Sequence, residues 1–220
     1  MKSNRVVIGA LTAALLVGAC GSSGSAQQTS DSTTTTVADV ESAGLDGAET
    51  GSAAIDGDPL PPAEGNGIIA SSDLDPAIGT TVPTMSGTNF NGGEVTIGAD
   101  GRPKAIYFVA HWCPHCQVEV ELIESLASDG RLPSDIDLYA VSIAVRPDSD
   151  NFPPSTWLAN FPGTVMRDDT DNSAATAAGV SGIPYVLYVD GDNNLLARSV
   201  GGLNESQVIE QWNSLLPEAS

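Results

Sequence analysis

The sequence predicts an α/β protein in which a central mixed sheet is flanked by helices and preceded by a disordered N-terminal tether. Strand and helix patterns alternate from about Pro76 to the C-terminus, which is typical of α/β domains. Every aromatic residue lies at or beyond Phe90, so a folded core is expected only in the second part of the chain. We therefore divide the chain into residues 1–19, residues 20–75 and a folded domain over residues 76–220.

Residues 1–19 have the pattern of a secretory signal peptide. Lys2 and Arg5 are followed by an apolar run over residues 6–17 and by two small residues before Cys20. The run is shorter than the roughly 20 residues that span a bilayer. Its end resembles the bacterial lipobox, in which the cysteine is diacylated and becomes the new N-terminus. We expect Cys20 to hold the chain at the outer face of the cytoplasmic membrane, or periplasmic side; the alternative is an ordinary signal peptide with an incidental cysteine.

The segment 20–75 reads as a flexible linker. From Gly21 to Gly65, 20 of 45 residues are Gly, Ser or Thr, and large apolar side chains are rare. Such a composition cannot offset the entropy lost on folding. We expect a disordered tether between the lipidated Cys20 and the folded domain.

The charge balance excludes one class of partner. Eight Lys and Arg stand against 28 Asp and Glu, a net charge of −20, so nucleic acid is not an expected partner. No basic residue lies between Arg5 and Arg102, so the tether cannot bind anionic lipid headgroups by charge. It would hold the domain away from the membrane surface, or simply increase solubility.

The domain itself is predicted as a series of short elements. Strand patterns lie over residues 94–97, 105–110 and 138–145, at Val165, and in a final hairpin over 184–190 and 195–200. Helix patterns lie over residues 114–128, around Trp157, over 172–178, and after Asn204, which is followed by Gln207 at the spacing of a capping box.

The strongest functional signal is a cysteine pair, Cys113 and Cys116, directly after the strand over residues 105–110. Two intervening residues in the first turn of a helix bring both sulfurs within bonding distance. Cys113 would meet unpaired backbone N–H groups and the positive end of the helix dipole, which favour its thiolate. We predict Cys113 as the nucleophile and Cys116 as the thiol that resolves the mixed disulfide. This redox-active disulfide is the only cofactor that we expect.

Three neighbours have predicted roles around the pair. His115 is expected to favour the Cys113 thiolate, which would make the disulfide a stronger oxidant. Trp112 is expected to pack beside the site and support the substrate, and His111 to lie exposed on its rim.

Other cysteine-pair sites fit the sequence less well. A c-type haem site needs His after the second cysteine, where this chain has Gln117. A zinc site would have only His111 and His115 as further ligands, and four ligands within six residues of one helix start cannot surround a metal. We predict no metal site, although a static disulfide remains open.

A helical wheel of residues 114–128 identifies one more candidate, Glu119. It falls on the apolar arc one turn after Cys116, where burial should raise its pKa and let it accept the proton of Cys116. The alternative is a carboxylate that reaches solvent. The apolar arc comprises Val118, Val120, Leu122, Ile123, Leu126 and Ala127.

A second local feature is Gly182-Ile183-Pro184, where a proline opens a predicted inner strand. Proline has no N–H for the ladder, which makes this an unfavourable position. A cis Ile183–Pro184 bond would resolve the conflict, although such bonds occur at only about 5–6% of X-Pro positions.

The strand, cysteine pair, helix, Gly-Ile-Pro entry and final hairpin together resemble the thioredoxin superfamily across about residues 76–220. Glu119, the early segment 82–97 and the insertion before Asp168 resemble its TlpA, ResA and DsbE branch of tethered oxidoreductases. The resemblance implies Cys113 as nucleophile, Cys116 as resolver and Glu119 as proton acceptor. It also implies that Pro184 is cis and that Ile183 offers its backbone to substrate.

The resemblance leaves the direction of electron flow open. Glu121 replaces a proline that is usual in that branch, and Pro114-His115 is the dipeptide of DsbA-like oxidases. We expect an oxidoreductase that exchanges disulfides with exported proteins, slightly favoured as oxidant, monomeric, and served by a membrane redox partner. The alternatives are a reductant in cytochrome c maturation or a similar pathway, and a non-catalytic tethered binding module.

Overall fold

A computed structural model of the chain describes residues 49–216. This part of the chain forms nine strands and four helices. The strands are β1 (Ala54–Asp56), β2 (Gly67–Ile69), β3 (Thr84–Thr88), β4 (Glu94–Ile97), β5 (Lys104–Val109), β6 (Asp137–Ser142), β7 (Thr164–Arg167), β8 (Tyr185–Val189) and β9 (Leu195–Val200). The helices are α1 (Pro114–Ser128), α2 (Pro154–Trp157), α3 (Ser173–Ala177) and α4 (Glu205–Ser214).

The strands form one mixed sheet in the order β1-β3-β7-β6-β5-β8-β9-β2, with β4 paired to β3. The strand β5 runs parallel to β6 on one side and antiparallel to β8 on the other. Every residue of β5 and β8 is buried, as expected for central strands covered on both faces. The predicted α/β fold with a central mixed sheet is thus confirmed, and β5 delivers the chain from the centre of the sheet directly to the cysteine pair.

Most predicted elements are confirmed within one or two residues. The strand β4 and the helix α1 have the predicted bounds, and α4 begins with the predicted capping box of Asn204 and Gln207. The strand predicted over residues 138–145 ends earlier, at Ser142. It ends because Ala144 adopts φ 49, a left-handed conformation that cannot continue a strand.

The predicted domain boundary at residue 76 is wrong for the segment 49–75, which we call the N-terminal strap. Its strand β1 pairs antiparallel with β3, and its strand β2 pairs antiparallel with β9. The strap folds because it supplies buried apolar side chains and edge strands to a sheet that already exists. The predicted signal peptide, Cys20 and the tether as far as residue 48 lie outside the described residues.

A buried ion pair fastens the end of the strap. Asp75 and Arg198 are 3% and 1% exposed and form an ion pair through Oδ2 and Nε. Arg198 Nη1 also donates to the carbonyl of Pro61 at 2.8 Å and to the Tyr185 hydroxyl at 3.1 Å. One guanidinium therefore joins the strap to β8 and β9.

The helices within residues 49–216 are short, and the longest, α1, has 15 residues. None of them is long and apolar enough to cross a membrane.

Candidate active site

The cysteine pair lies at the junction of β5 and α1. Cys113 is the N-cap of α1, with φ −85° and ψ 116°, and its N–H donates to the carbonyl of Ala110 at 3.0 Å. The Cys113 Sγ accepts a hydrogen bond from the backbone N–H of Cys116 at 3.4 Å. Pro114 occupies the first turn, where its missing N–H has no cost. The sulfur of Cys113 thus acts as the cap of its own helix, as the spacing predicts.

The two thiols have unequal environments. Both are free; Cys113 is 6% exposed and Cys116 is fully buried. Burial raises the pKa of the Cys116 thiol well above its usual range, and the side chains of Cys113 and Glu119 raise it further. The thiol form of Cys116 is therefore favoured, and Cys113 is the cysteine of the pair that reaches solvent.

Glu119 lies on the buried side of α1, as the helical wheel predicts. It is 1% exposed, and neither carboxyl oxygen has a hydrogen-bond partner among the described residues. Burial raises the pKa of Glu119 to about 8, and the nearby backbone N–H of Leu203 opposes this shift without reaching hydrogen-bond geometry. A carboxyl group with this pKa, one turn from Cys116, can hold or release a proton near neutral pH.

Two buried tyrosines and a tryptophan share the interior near Glu119. Burial, together with the charge of Glu119, raises the pKa of both Tyr107 and Tyr188. The Tyr107 hydroxyl accepts a hydrogen bond from Trp212 Nε1 at 2.8 Å. These residues were not candidates from the sequence, because they occupy ordinary core positions of β5, β8 and α4.

The Gly-Ile-Pro segment lies against the nucleophile. The Ile183–Pro184 bond is cis, which confirms that prediction. The Cys113 Sγ is 3.9 Å from the carbonyl oxygen of Ile183, to which its S–H donates. Ile183 is half-buried and Pro184 is buried, and the role of Ile183 in substrate binding stays a prediction.

Trp112 and His115 border the pair in different ways. Trp112 is half-buried, and its Nε1 donates to the carbonyl of Ala144 at 2.7 Å. The guanidinium of Arg146 lies over the Trp112 ring, 3.5 Å from its centroid. His115 is exposed and makes no hydrogen bond with the described residues, so its tuning role stays a prediction.

The expectation that His111 is an exposed rim residue is wrong. It is fully buried, its Nε2 accepts the backbone N–H of Arg146 at 3.0 Å, and its Nδ1 donates to the carbonyl of Asp150 at 2.7 Å. This pattern requires the neutral ring. The segment 144–152 folds back over His111 and uses both ring nitrogens, a long-range contact that the sequence pattern does not indicate.

One member of the predicted apolar arc is also misplaced. Val118 is 65% exposed, whereas Val120, Ile123 and Leu126 are buried. It lies one turn after Pro114, which is also exposed, in the first turns of α1 after the cysteine pair. The buried arc therefore begins at Cys116 and Glu119.

No family model matches the chain. The thiol:disulfide interchange protein HelX of Rhodobacter capsulatus is 31% identical over 119 residues, which are 53% of this chain and 62% of that protein. The chain thus spans less than two thirds of the length of this relative. The thiol:disulfide interchange protein DsbE of Pseudomonas fluorescens biotype C is 26% identical over 160 residues, 66% of this chain and 85% of that protein.

A solved structure supports the fold. A DsbF homologue from Corynebacterium diphtheriae superposes with a TM-score of 0.54 and 18% identity, over 69% of this chain and 95% of that one. The mixed sheet, the cysteine pair at the start of α1 and the cis-proline beside it define the class of thioredoxin-fold thiol-disulfide oxidoreductases. Within this class the chain is similar to the TlpA, ResA and DsbE-like branch, since both curated relatives are DsbE-like thiol:disulfide interchange proteins.

Proposed function

We propose that this chain exchanges disulfides with exported proteins through Cys113 and Cys116 and that it acts as an oxidant. The observation that carries this proposal is the arrangement at the start of α1. A slightly exposed sulfur caps the helix, the second sulfur is buried one turn on, and the Ile183 carbonyl is 3.9 Å from the first.

In the oxidising direction, a client thiolate attacks Cys113 Sγ of the Cys113–Cys116 disulfide. The bond between the two cysteines breaks, and Cys116 leaves as a thiolate that accepts a proton from Glu119. A second client thiolate then attacks the client sulfur of the mixed disulfide, and Cys113 leaves as a thiolate. The client has lost two electrons and gained a disulfide, and a membrane redox partner must remove these electrons from the pair.

Two features favour this direction. The Cys113 sulfur accepts the backbone N–H of Cys116 at 3.4 Å at the start of α1, a hydrogen bond that stabilises the reduced pair, and a more stable reduced pair makes the disulfide a stronger oxidant. The dipeptide Pro114-His115, with its exposed imidazole beside Cys113, acts in the same sense.

The second candidate is a reductant in cytochrome c maturation or a similar pathway. The similarity to the TlpA, ResA and DsbE-like branch and the buried Glu119 favour it. It uses the same steps in reverse, in which Glu119 accepts the proton of Cys116 as that thiol attacks Cys113.

The setting of the reaction is part of the proposal. We propose that residues 1–19 are removed, that lipid on Cys20 holds the chain at the outer face of the cytoplasmic membrane, and that the domain works as a monomer. The predicted lipobox and the acidic, linker-like composition of the segment before residue 49 support this arrangement.

Trapping of mixed disulfides tests the exchange reaction. In cells that express Cys116→Ser, the remaining Cys113 should retain exported proteins in complexes that a thiol reductant releases. The matched control, Cys113→Ser, should retain none. Absence of such complexes in Cys116→Ser, together with unchanged cellular activity of Cys113→Ser, would support the non-catalytic binding module instead.

A further inference from the structure

One basic side chain in the described part of the chain stands apart from the others. Arg146 is exposed and forms no ion pair with residues 49–216; its recorded side-chain contact is the ring of Trp112. The other basic residues are engaged with polar partners. Arg102, Lys104, Arg131 and Arg198 each pair with an acidic residue, and Arg167 donates to the Thr88 hydroxyl.

The segment 144–152 fixes Arg146 in this position. The backbone N–H of Arg146 donates to His111, and the carbonyl of Ala144 accepts the indole N–H of Trp112. Ala144 adopts φ 49, and its N–H donates to Asn172 Oδ1 at 2.7 Å. A non-glycine residue persists in this conformation only where its surroundings over-determine it, and such positions cluster at functional sites.

The stacked guanidinium keeps its donors available. A cation over an aromatic face is held by the ring quadrupole and uses none of its N–H groups in that contact. Five N–H donors in a planar fork match a carboxylate in bidentate geometry. The guanidinium of Arg146, a group that can bind a carboxylate, is therefore held over Trp112, the residue that directly precedes Cys113.

The negative charge around Arg146 makes its guanidinium selective for acidic client segments. The chain has a net charge of −20, and the neighbouring Asp148 and Asp150 are exposed. An acidic client segment is repelled by most of this surface. At Arg146 the same segment finds a cation without an ion-pair partner.

We propose that Arg146 on Trp112 selects clients that have an acidic residue within about two or three positions of their reactive cysteine. Trp112 directly precedes Cys113, and consecutive client residues lie about 3.8 Å apart, so only a carboxylate close to the client cysteine can reach Arg146. The inference rests on the proposed function and names the substrate class of the same site. Ile183 would guide the client backbone, and Arg146 would bind the client carboxylate.

The test uses the full chain, oxidised at Cys113–Cys116, and two dithiol peptides that differ only by Glu or Lys two positions before a cysteine. The rate of peptide oxidation at low peptide concentration gives kcat/KM for each. Arg146→Gln should reduce the Glu-to-Lys ratio about three- to fivefold, the range of an exposed ion pair. Arg146→Glu should reduce the ratio further, and added salt should shrink the differences in this ratio between the wild type and the two variants.

Comparison of ratios between variants removes the intrinsic reactivity of each peptide. Arg131→Gln, an exposed arginine paired with Glu205 elsewhere in the fold, should leave the ratio unchanged. Equal losses for both peptides in Arg146→Gln, or no loss for either, would overturn the proposal. Failure of the wild type to oxidise either peptide would instead contradict the proposed function.

Discussion

At the scale of single residues, Glu119 has the least ordinary environment in the described part of the chain. Its carboxyl group is buried one turn after Cys116, without a hydrogen bond, and its pKa is raised to about 8. The helical wheel predicts its burial, since it is the one acidic residue on the apolar arc of α1. The wheel cannot predict that no donor satisfies the carboxyl group, because this depends on β8 and on the segment before α4, which are distant in sequence.

Glu119→Gln should slow the resolution step, in which Cys116 attacks a mixed disulfide on Cys113. In the wild type the rate should rise with pH and level off above about 8, as Glu119 loses its proton and becomes a base. The variant should lack this inflection and be about 100-fold slower above it. Rapid quench of a glutathione mixed disulfide between pH 6 and 10 measures both the inflection and the rate above it.

Glu121→Gln, at an exposed glutamate on the same helix, serves as the control. An unchanged inflection in Glu119→Gln would exclude the proton-transfer role.

The same residue should make the stability of the reduced protein depend on pH. The folded pKa of about 8 lies above the ordinary value of 4.5, so the folded state binds more protons between these values. The preference of the folded state for protonated Glu119 contributes fully to stability below pH 4.5. This contribution is lost as the pH rises through 8. Since one pKa unit corresponds to about 1.4 kcal/mol, Glu119→Gln should become more stable than the wild type by a few kcal/mol at pH 9. Urea unfolding at pH 5 and 9 measures this, and a constant difference would show that Glu119 titrates normally.

At the scale of elements, the sequence predicts α1 more accurately than the segment 144–152. The bounds of α1 follow from local signals, namely a sulfur that caps the helix and a proline in its first turn. The shape of the segment 144–152 depends on contacts distant in sequence, with both nitrogens of His111 and with Asn172. A polar, proline-containing stretch gives no sign of such partners, and for this reason His111 is wrongly predicted to be exposed.

Asn172→Gly tests whether this segment is held as described, because glycine removes the side chain and tolerates the left-handed φ of 56° at this position. The substitution removes the acceptor of the Ala144 N–H, and an unpaired backbone group of this kind costs about 1–3 kcal/mol. The free energy of unfolding in urea should fall by that amount. Limited proteolysis should also cut faster within residues 144–152. Asn213→Ala, an exposed position on α4, provides the control; equal behaviour of the two variants would contradict the account.

At the scale of the whole molecule, the folded unit begins earlier than composition indicates. The strap contains strands of only three residues each, and few of its side chains are large and apolar. Composition detects segments that build their own core, whereas the strap gains its stability from β3, β9 and the buried ion pair. The alternation of strands and helices nevertheless predicts the fold class and the place of the cysteine pair within it.

Asp75→Asn should destabilise the protein by about 3–5 kcal/mol, because Arg198 would remain buried without an anionic partner. The double variant Asp75→Asn, Arg198→Met should recover part of this loss, since it removes the unpaired charge. Urea unfolding of the three proteins gives the comparison. A loss below about 1 kcal/mol in Asp75→Asn is the expectation for an exposed pair and would mean that the strap is fastened by other contacts.

We propose that Cys113 and Cys116 form a reversible redox pair that oxidises exported proteins. Its most direct test is the reduction potential of the full chain, equilibrated in glutathione buffers and read by thiol trapping. An oxidant of exported proteins should show one two-electron transition near about −120 mV, lost in Cys116→Ser. A transition near about −270 mV or lower would contradict the oxidising direction, and the absence of a Cys113–Cys116 disulfide across all buffers would contradict the claim itself.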